Sequence, residues 1–527
     1  MSGSDAGTGR HIRFPASERP RDEAVSRVQP GLFRRFATLA RADAWSVRRV
    51  LAVLFVAVAL PTCTALALLT PSGQVADEPA HVLRTASLLH GQWIGRRGPS
   101  VEDGKPKIRA GLDVDGAIFG VQSGPEQTKF TREDLTRAMA QGWAGSLQFL
   151  PIPSVAIYMP AFYGPAAVGM GAAMAAGAGP LVATYAARLA NAACFVALGL
   201  AALLLARRGH ALLFCTLMLP MTVSLAASVN QDGQIIAASV PAAALLTRAR
   251  SPIAAGPALP RGAAYWTAGL LLACIAAVKP PYAPLLLLLL LPLPPARDWL
   301  RFRRPLLGRV AAAVLLLLPG LLWAWFAVAH VATPFPKLPY EPGPLWTGPR
   351  PALFNETDPA AQLGILLAEP LRVLSIPWTT IIHDPALLRS AVGVLGWLNV
   401  VLPNPLYTLW WTALPAALLC DLIARRNGGR QGSSSDFALG VAAAAACVLG
   451  IYLSQYLSWT LVGSPVVQGV SGRYLLPILP LLALSLPVLW VPGGRWLRAG
   501  LAAVSVAAAL AGAVVLPPWI VHAMVLR

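Results

Sequence analysis

The chain has 527 residues, 56% apolar and 12% charged, with a formal net charge of +19. A soluble domain carries about a quarter charged residues, whereas the apolar residues here fall in blocks of about 18 to 25, the length that crosses roughly 30 Å of hydrocarbon. Composition therefore excludes a soluble globular protein. The placement of the charge argues against nucleic acid as a partner, because Arg and Lys gather in the N-terminal region and in short loops, a distribution that marks the cytoplasmic side and attracts anionic lipid headgroups.

In chain order, residues 1–47 are polar and rich in Arg, Ser and Pro, with no cleavable signal, and read as a disordered basic cytoplasmic tail. The remainder, 48–527, reads as one polytopic membrane domain. Its first apolar run, Val50 to Thr70, suits a signal anchor. With the N-terminus inside, 71–153 becomes a long external loop holding a helix-like stretch (Glu78 to Gln92), a basic Gly-rich part and a second helical candidate (Thr131 to Ala144). Further spans are expected near 154–176, 181–206, 210–229, 233–250, 263–279, 281–296, 310–331, 391–424, 437–460, 474–491 and 499–517, about eleven to thirteen in all by length. A second large external loop, 332–390, is rich in Pro and Trp. Arg207 and Arg208 violate the inside rule if 154–206 holds two full spans, so part of 151–179 is either re-entrant or the pair is an exception. From there to the C-terminus the sides alternate as the rule asks, with the basic clusters 248–261, 297–309 and 425–430 inside and Asn230 to Asp232, Lys279, 332–390 and Gly469 to Arg473 outside. The six cysteines sit in apolar segments without a CxxC pair, which supports neither a disulfide framework nor a zinc site.

Four constellations could carry chemistry. Asp77-Glu78-Pro79-Ala80-His81 follows the first span, with Arg84 one turn further on. Pro79 suits the first turn of a helix, and Asp77 and Glu78 then lie at the positive end of its dipole. The group is either a capped interfacial helix or a compact site for a base or a divalent metal. Asn230-Gln231-Asp232-Gly233 is either a solvated turn or a carboxylate held near hydrocarbon for function. Lys279-Pro280-Pro281-Tyr282 places an isolated cation away from the basic clusters, as a snorkelling end group or as a holder of an anion. Gly469-Val470-Ser471-Gly472-Arg473-Tyr474 offers a guanidinium fork for phosphate or an interfacial anchor. Arg188, inside an apolar stretch, needs an acidic partner or a phosphate. His383-Asp384 in the second loop are either catalytic or, as is more common, loop polar groups. The chain has no Walker loop and no HExxH.

An acid in the first external loop, a second acid after a later span and a large late loop resemble the GT-C superfamily of glycosyltransferases, which use polyprenyl-phosphate sugars. The ordered motifs Asp77 to His81 with Arg84, Asn230 to Gly233, Lys279 to Tyr282, Gly396-Trp397-Leu398-Asn399 with Leu402-Pro403, and Gly469 to Tyr474 with Leu476-Pro477 more closely resemble a domain-of-unknown-function family of bacterial predicted membrane proteins. The resemblance implies an all-α, GT-C-like integral membrane protein of the bacterial inner membrane with a cytoplasmic N-terminus. It implies transfer of a sugar from a polyprenyl-phosphate donor to an envelope glycan, lipid or protein acceptor at the external face. Asp77, Glu78, His81 and Asp232 would be catalytic, and Arg84, Lys279, Tyr282, Arg473 and Tyr474 would bind substrate. Asp77 would also be the ligand of a divalent cation such as Mg or Mn, a role left open because the Asn230 to Asp232 stretch lacks the closer acid pair of many GT-C enzymes. Membrane lipids are the expected partner. A flippase or polymerase of lipid-linked glycans, or a non-catalytic envelope assembly protein, is the alternative.

Overall fold

A computed structural model describes residues 30–102, 104–124, 129–251, 259–291, 299–349, 352–424, 434–485, 489–490 and 494–525. The chain divides into two compact units at Arg49, and the second, Val50–Arg527, carries the features below. Helix α1 runs over Pro30–Leu69. It therefore begins within the stretch expected to be a disordered tail, whose first 29 residues lie outside the described ones.

Among the described residues, six helices are long and apolar enough to cross a membrane: Arg48–Leu69, Pro180–Leu205, Arg261–Val278, Pro305–His330, Phe437–Ser458 and Trp496–Met524. Their surfaces match an apolar solvent. The Pro305–His330 helix buries only 17% of its most apolar window and turns Leu315, Leu321, Trp325 and Val328 outward. Outside water such exposure is no penalty, while the helical backbone satisfies its own hydrogen bonds. The protein is an all-α integral membrane protein.

Among the described residues, six of the expected eleven to thirteen spans are present as long apolar helices, or seven if a bent helix pair counts as one. Prolines break or tighten several of the others, since each removes a backbone donor and clashes with the preceding turn. The 210–229 stretch breaks at Pro220 into His210–Met218 and Pro220–Ala226. The 281–296 stretch opens as a 3₁₀ helix, Pro280–Leu290, behind two consecutive prolines, and 292–298 lie outside the described residues. In the 474–491 stretch, residues 474–485 are a succession of short turns around Pro477 and Pro480, and 486–488 and 491 lie outside the described residues. Residues 154–176 give a 3₁₀ turn, Pro160–Tyr163, then a twelve-residue helix, Gly164–Ala175. Within 391–424 a small hairpin, Val394–Leu395 with Val400–Val401, precedes the helix Asn404–Leu422. The 332–390 loop contains two apolar helices, Pro359–Ala368 and Arg372–His383, set at 107° to one another.

At the centre lies the Gln231–Ala249 helix, buried along its whole length. Small side chains, Ala237, Ala238, Ala242, Ala243 and Ala244, let neighbouring helices approach it closely. Its N-terminus is capped by the Asn230 side chain, which accepts from the Asp232 backbone N–H at 2.8 Å.

The first loop is more than helices. Helix α2, Glu78–Leu89, is followed by an antiparallel sheet of β1 (Arg96–Glu102), β2 (Lys105–Asp115) and β3 (Leu147–Pro151), with Arg97 opposite Ala110 and Asp113 opposite Phe149. The Gly-rich part thus forms strands. The second helical candidate is shorter, Arg132–Ala140, with a capping box between Thr131 and Asp134. Arg109 on β2 pairs with Glu102 at 2.6 Å and with Glu356 at 2.8 Å, tying the first loop to the second. The Arg109 guanidinium holds the Glu102 carboxyl below its usual range.

Candidate functional site

The turn between α1 and α2 presents two adjacent carboxylates in opposite directions. Asp77, the residue before α2, has φ +67°, a left-handed conformation that costs a non-glycine residue about 1–2 kcal/mol. The hairpin of 394–401 holds it there. The Ala76 N–H donates to the Gly396 carbonyl at 2.9 Å, and Trp397 Nε1 donates to the Gly73 carbonyl at 2.9 Å. The Asp77 side chain remains 51% exposed.

Glu78 turns inward and has no exposure. Arg188, from the Pro180–Leu205 helix, donates Nε to its Oε1 at 2.7 Å and Nη2 to its Oε2 at 2.6 Å. The Val229 and Gly73 N–H groups donate to the same carboxylate at 3.0 and 3.2 Å. Arg188 also donates to the carbonyls of Ala67, Thr70 and Pro71. The acidic partner that Arg188 required is therefore Glu78. A carboxylate holding four donors has no lone pair turned to an open site, so the pair fixes the turn rather than facing a ligand.

Asp77 instead joins a line of alternating charge. Arg473 Nη2 donates to Asp77 Oδ2, and Arg473 Nε lies 3.5 Å from Asp232 Oδ2. Lys279 Nζ donates to Asp232 Oδ1. The order Asp77, Arg473, Asp232, Lys279 draws on four segments far apart in sequence. Asp232 sits in the first turn of its helix, where the dipole favours a carboxylate. Lys279 follows the last residue of the Arg261–Val278 helix, where a cation is favoured. The Tyr474 ring covers both cations, with Lys279 Nζ 4.8 Å and Arg473 Cζ 5.1 Å from its centroid. Tyr474 Oη accepts from Arg473 Nη2 at 3.2 Å, and Tyr282 Oη donates to the Tyr474 carbonyl at 2.8 Å. The Gly472 N–H donates to Ser390 Oγ at 2.8 Å, anchoring the backbone beside Arg473.

His81 lies on the buried side of α2. Its Nδ1 is 2.7 Å from Tyr163 Oη, and its ring stacks against Tyr158 at 6.2 Å. Burial pushes its pKa down to about 4, against the opposing pull of Asp77 and Asp232, so the ring is neutral at neutral pH. Arg84 is also fully buried. Its guanidinium serves Ser87 Oγ and the carbonyls of Gln92, Trp93 and Tyr158. The structure thus brings together Asp77, Asp232, Lys279, Tyr282, Arg473 and Tyr474, keeps His81 within their electrostatic reach, and commits Glu78 and Arg84 to internal contacts. His383, the last residue of the Arg372–His383 helix, bonds the Thr379 carbonyl, and Asp384 just beyond it accepts from the Ala386 N–H, both exposed.

Tyr158, Tyr163 and Ser390 were not singled out in the sequence. The signal for the two tyrosines was present, a Tyr-Met-Pro-Ala-Phe-Tyr stretch at the mouth of an apolar segment, where aromatic residues favour the interface. Among the described residues, no three His, Cys, Asp or Glu side chains converge as metal ligands. Asp77 and Asp232 each face a cation rather than one another, a donor set that does not fit a divalent ion.

No curated protein and no solved structure matches the chain. The family profile for predicted membrane proteins designated DUF2142 matches residues 60–482, well over half the chain and every segment of the charge line. The chain belongs to the DUF2142 family of predicted membrane proteins.

Proposed function

We propose that the protein is a membrane glycosyltransferase that moves a sugar from a polyprenyl-phosphate donor to a cell-envelope acceptor. The observation that carries this reading is the line of Asp77, Arg473, Asp232 and Lys279 at the ends of apolar helices. Two cations under one tyrosine ring suit a lipid phosphate arriving from the membrane, and the half-exposed carboxylate at the end of the line suits a base. The phosphate competes with the carboxylates for Arg473 and Lys279, and so loosens the hold of Arg473 on Asp77. Asp77 then takes the proton of the acceptor hydroxyl. The oxygen attacks the anomeric carbon, the bond from that carbon to the phosphate oxygen breaks, and the lipid phosphate leaves with the electron pair, its charge stabilised by the two cations. His81 is neutral and orients the site through Tyr163, while Glu78 with Arg188 holds the turn. A lipid-borne donor requires no nucleotide-binding loop, consistent with the motifs present.

The test replaces Asp77→Asn and Asp232→Asn, singly, in a host whose envelope glycans are profiled by mass spectrometry. Loss of one glycosyl modification at unchanged protein level is the expected result. Unchanged glycans at normal protein level refute the enzyme.

A further inference from the structure

Across the bent helix pair Pro359–Ala368 and Arg372–His383, six apolar side chains point out of the fold. Leu363, Leu367, Leu371, Leu374, Trp378 and Ile382 are 46% to 80% exposed. Leu363 and Leu367 in the first helix, and Leu374, Trp378 and Ile382 in the second, recur every four residues and so form one face each, while Leu371 stands at the bend between them. The opposite face is covered: Leu366 and Ile376 pack with Val467 on Tyr452 and Tyr456. Those tyrosines lie in the last two turns of the Ser434–Ser458 helix, part of the apolar helix Phe437–Ser458. The pair is therefore seated beside the end of a spanning helix.

Two readings of this element compete, a broken span and a surface-lying pair. The bend decides between them. Glu369 and Arg372 stand at it, joined at 2.7 Å, with Glu369 64% exposed. A span would carry this ion pair to the bilayer centre, where charged side chains are expensive. A surface-lying pair leaves both charges among the headgroups and sinks only the leucine and tryptophan face.

We infer that residues 359–383 form an interfacial helix pair lying in the membrane surface, its partner the acyl chains of the adjacent leaflet, rather than a water-exposed loop or a span. The pair is wired to the charge line. Thr380 Oγ1 accepts from the Val467 N–H at 2.8 Å, and Ser390, just beyond the pair, accepts from the Gly472 N–H. The segment that presents Arg473 is thus hydrogen-bonded on both sides of Gly469 to structure set at membrane depth. This inference requires only that the chain is a membrane protein and is independent of sugar transfer.

The test places single cysteines at Leu363, Leu374 and Ile382, and at the exposed Thr136 as an aqueous reference, in the full-length protein in phosphatidylethanolamine–phosphatidylglycerol nanodiscs. Wild-type protein, labelled in parallel, supplies the background of the native cysteines. Nitroxide depth is read from the ratio of oxygen to nickel-chelate accessibility. All three positions are expected at one shallow depth, about 5–10 Å into the headgroup–acyl boundary, with Thr136 in water. Accessibility like that of Thr136 at the three positions overturns the inference, as does a depth that increases from Leu363 and Ile382 towards a Leu371→Cys label at the bilayer centre. The positions are exposed and tested singly, so a variant that misfolds leaves the others to decide.

Discussion

Replacing Glu78 by Gln removes a charge while preserving shape, and it isolates the role the structure gives this residue. In the native protein Glu78 and Arg188 have no side-chain exposure. After substitution the guanidinium keeps its carbonyl partners Ala67, Thr70 and Pro71 but has no counter-charge. Breaking a buried pair from one side costs about 3–5 kcal/mol, because the remaining charge is left uncompensated. Helical circular dichroism through an SDS titration in mixed micelles reads this loss as an unfolding free energy. The double variant Glu78→Gln/Arg188→Met removes the orphaned charge and is expected to recover part of the loss. Asp77→Asn, one residue away, removes a half-exposed carboxylate and leaves the buried Arg473 with Asp232 beside it, so it is expected to cost less, about 1 kcal/mol. A Glu78→Gln protein as stable as the Asp77→Asn protein refutes the assignment of the two neighbours to different tasks.

Two further outcomes follow from the same geometry. His81 has a folded-state pKa of about 4 against an ordinary 6.5, so the folded state resists the proton that the unfolded chain accepts. Its contribution is complete above pH 6.5 and is lost as pH falls towards 4, by up to about 3 kcal/mol; unfolding measured against pH shows this slope, and His81→Gln flattens it. Gly472→Ala adds a Cβ that would meet the Ala391 nitrogen at 2.3 Å and the Leu387 oxygen at 2.4 Å, both backbone atoms. Overpacking of this kind costs about 1–3 kcal/mol and displaces Arg473, so glycan transfer is expected to fall with a smaller loss of fold; full transfer activity would contradict that placement.

The membrane class was legible because the apolar fraction and the length of apolar blocks can be read along the chain without knowing any tertiary contact. So were the motifs: Asp77, Asp232, Lys279 and Arg473 were each marked by a charge standing where hydrocarbon begins, and they meet. Their pairing was less legible, since nothing local to Lys279 names Asp232 as its partner. Glu78 and Arg84 were read as site residues because a helix-start pattern shows which residues are polar but not which way each turns. The shape of several expected spans was hidden for a different reason. Hydropathy sums apolar side chains and is blind to the backbone donors lost at Pro220, Pro281 and Pro480, where the structure turns or tightens instead of continuing a helix. In 332–390 the prolines dominated the reading, although the four-residue spacing from Leu374 through Trp378 to Ile382 was already that of a one-sided helix.

The contact between Asp77 and Arg473 joins residues 396 positions apart, and that separation bears on how the protein is made. During synthesis both carboxylates emerge long before Arg473 exists; Asp232 meets Lys279 after 47 residues, but Asp77 must survive unpaired beside the bilayer until Arg473 is made. Both stand at helix beginnings, where backbone dipoles and water sustain a negative charge until its partner arrives. Assembly of the charge line is consequently among the last events of biogenesis, and it closes the N- and C-terminal parts of the membrane unit upon each other. Fragments ending before residue 473 would insert and form helices yet never complete this centre, and a late truncation would be as damaging to it as an early one.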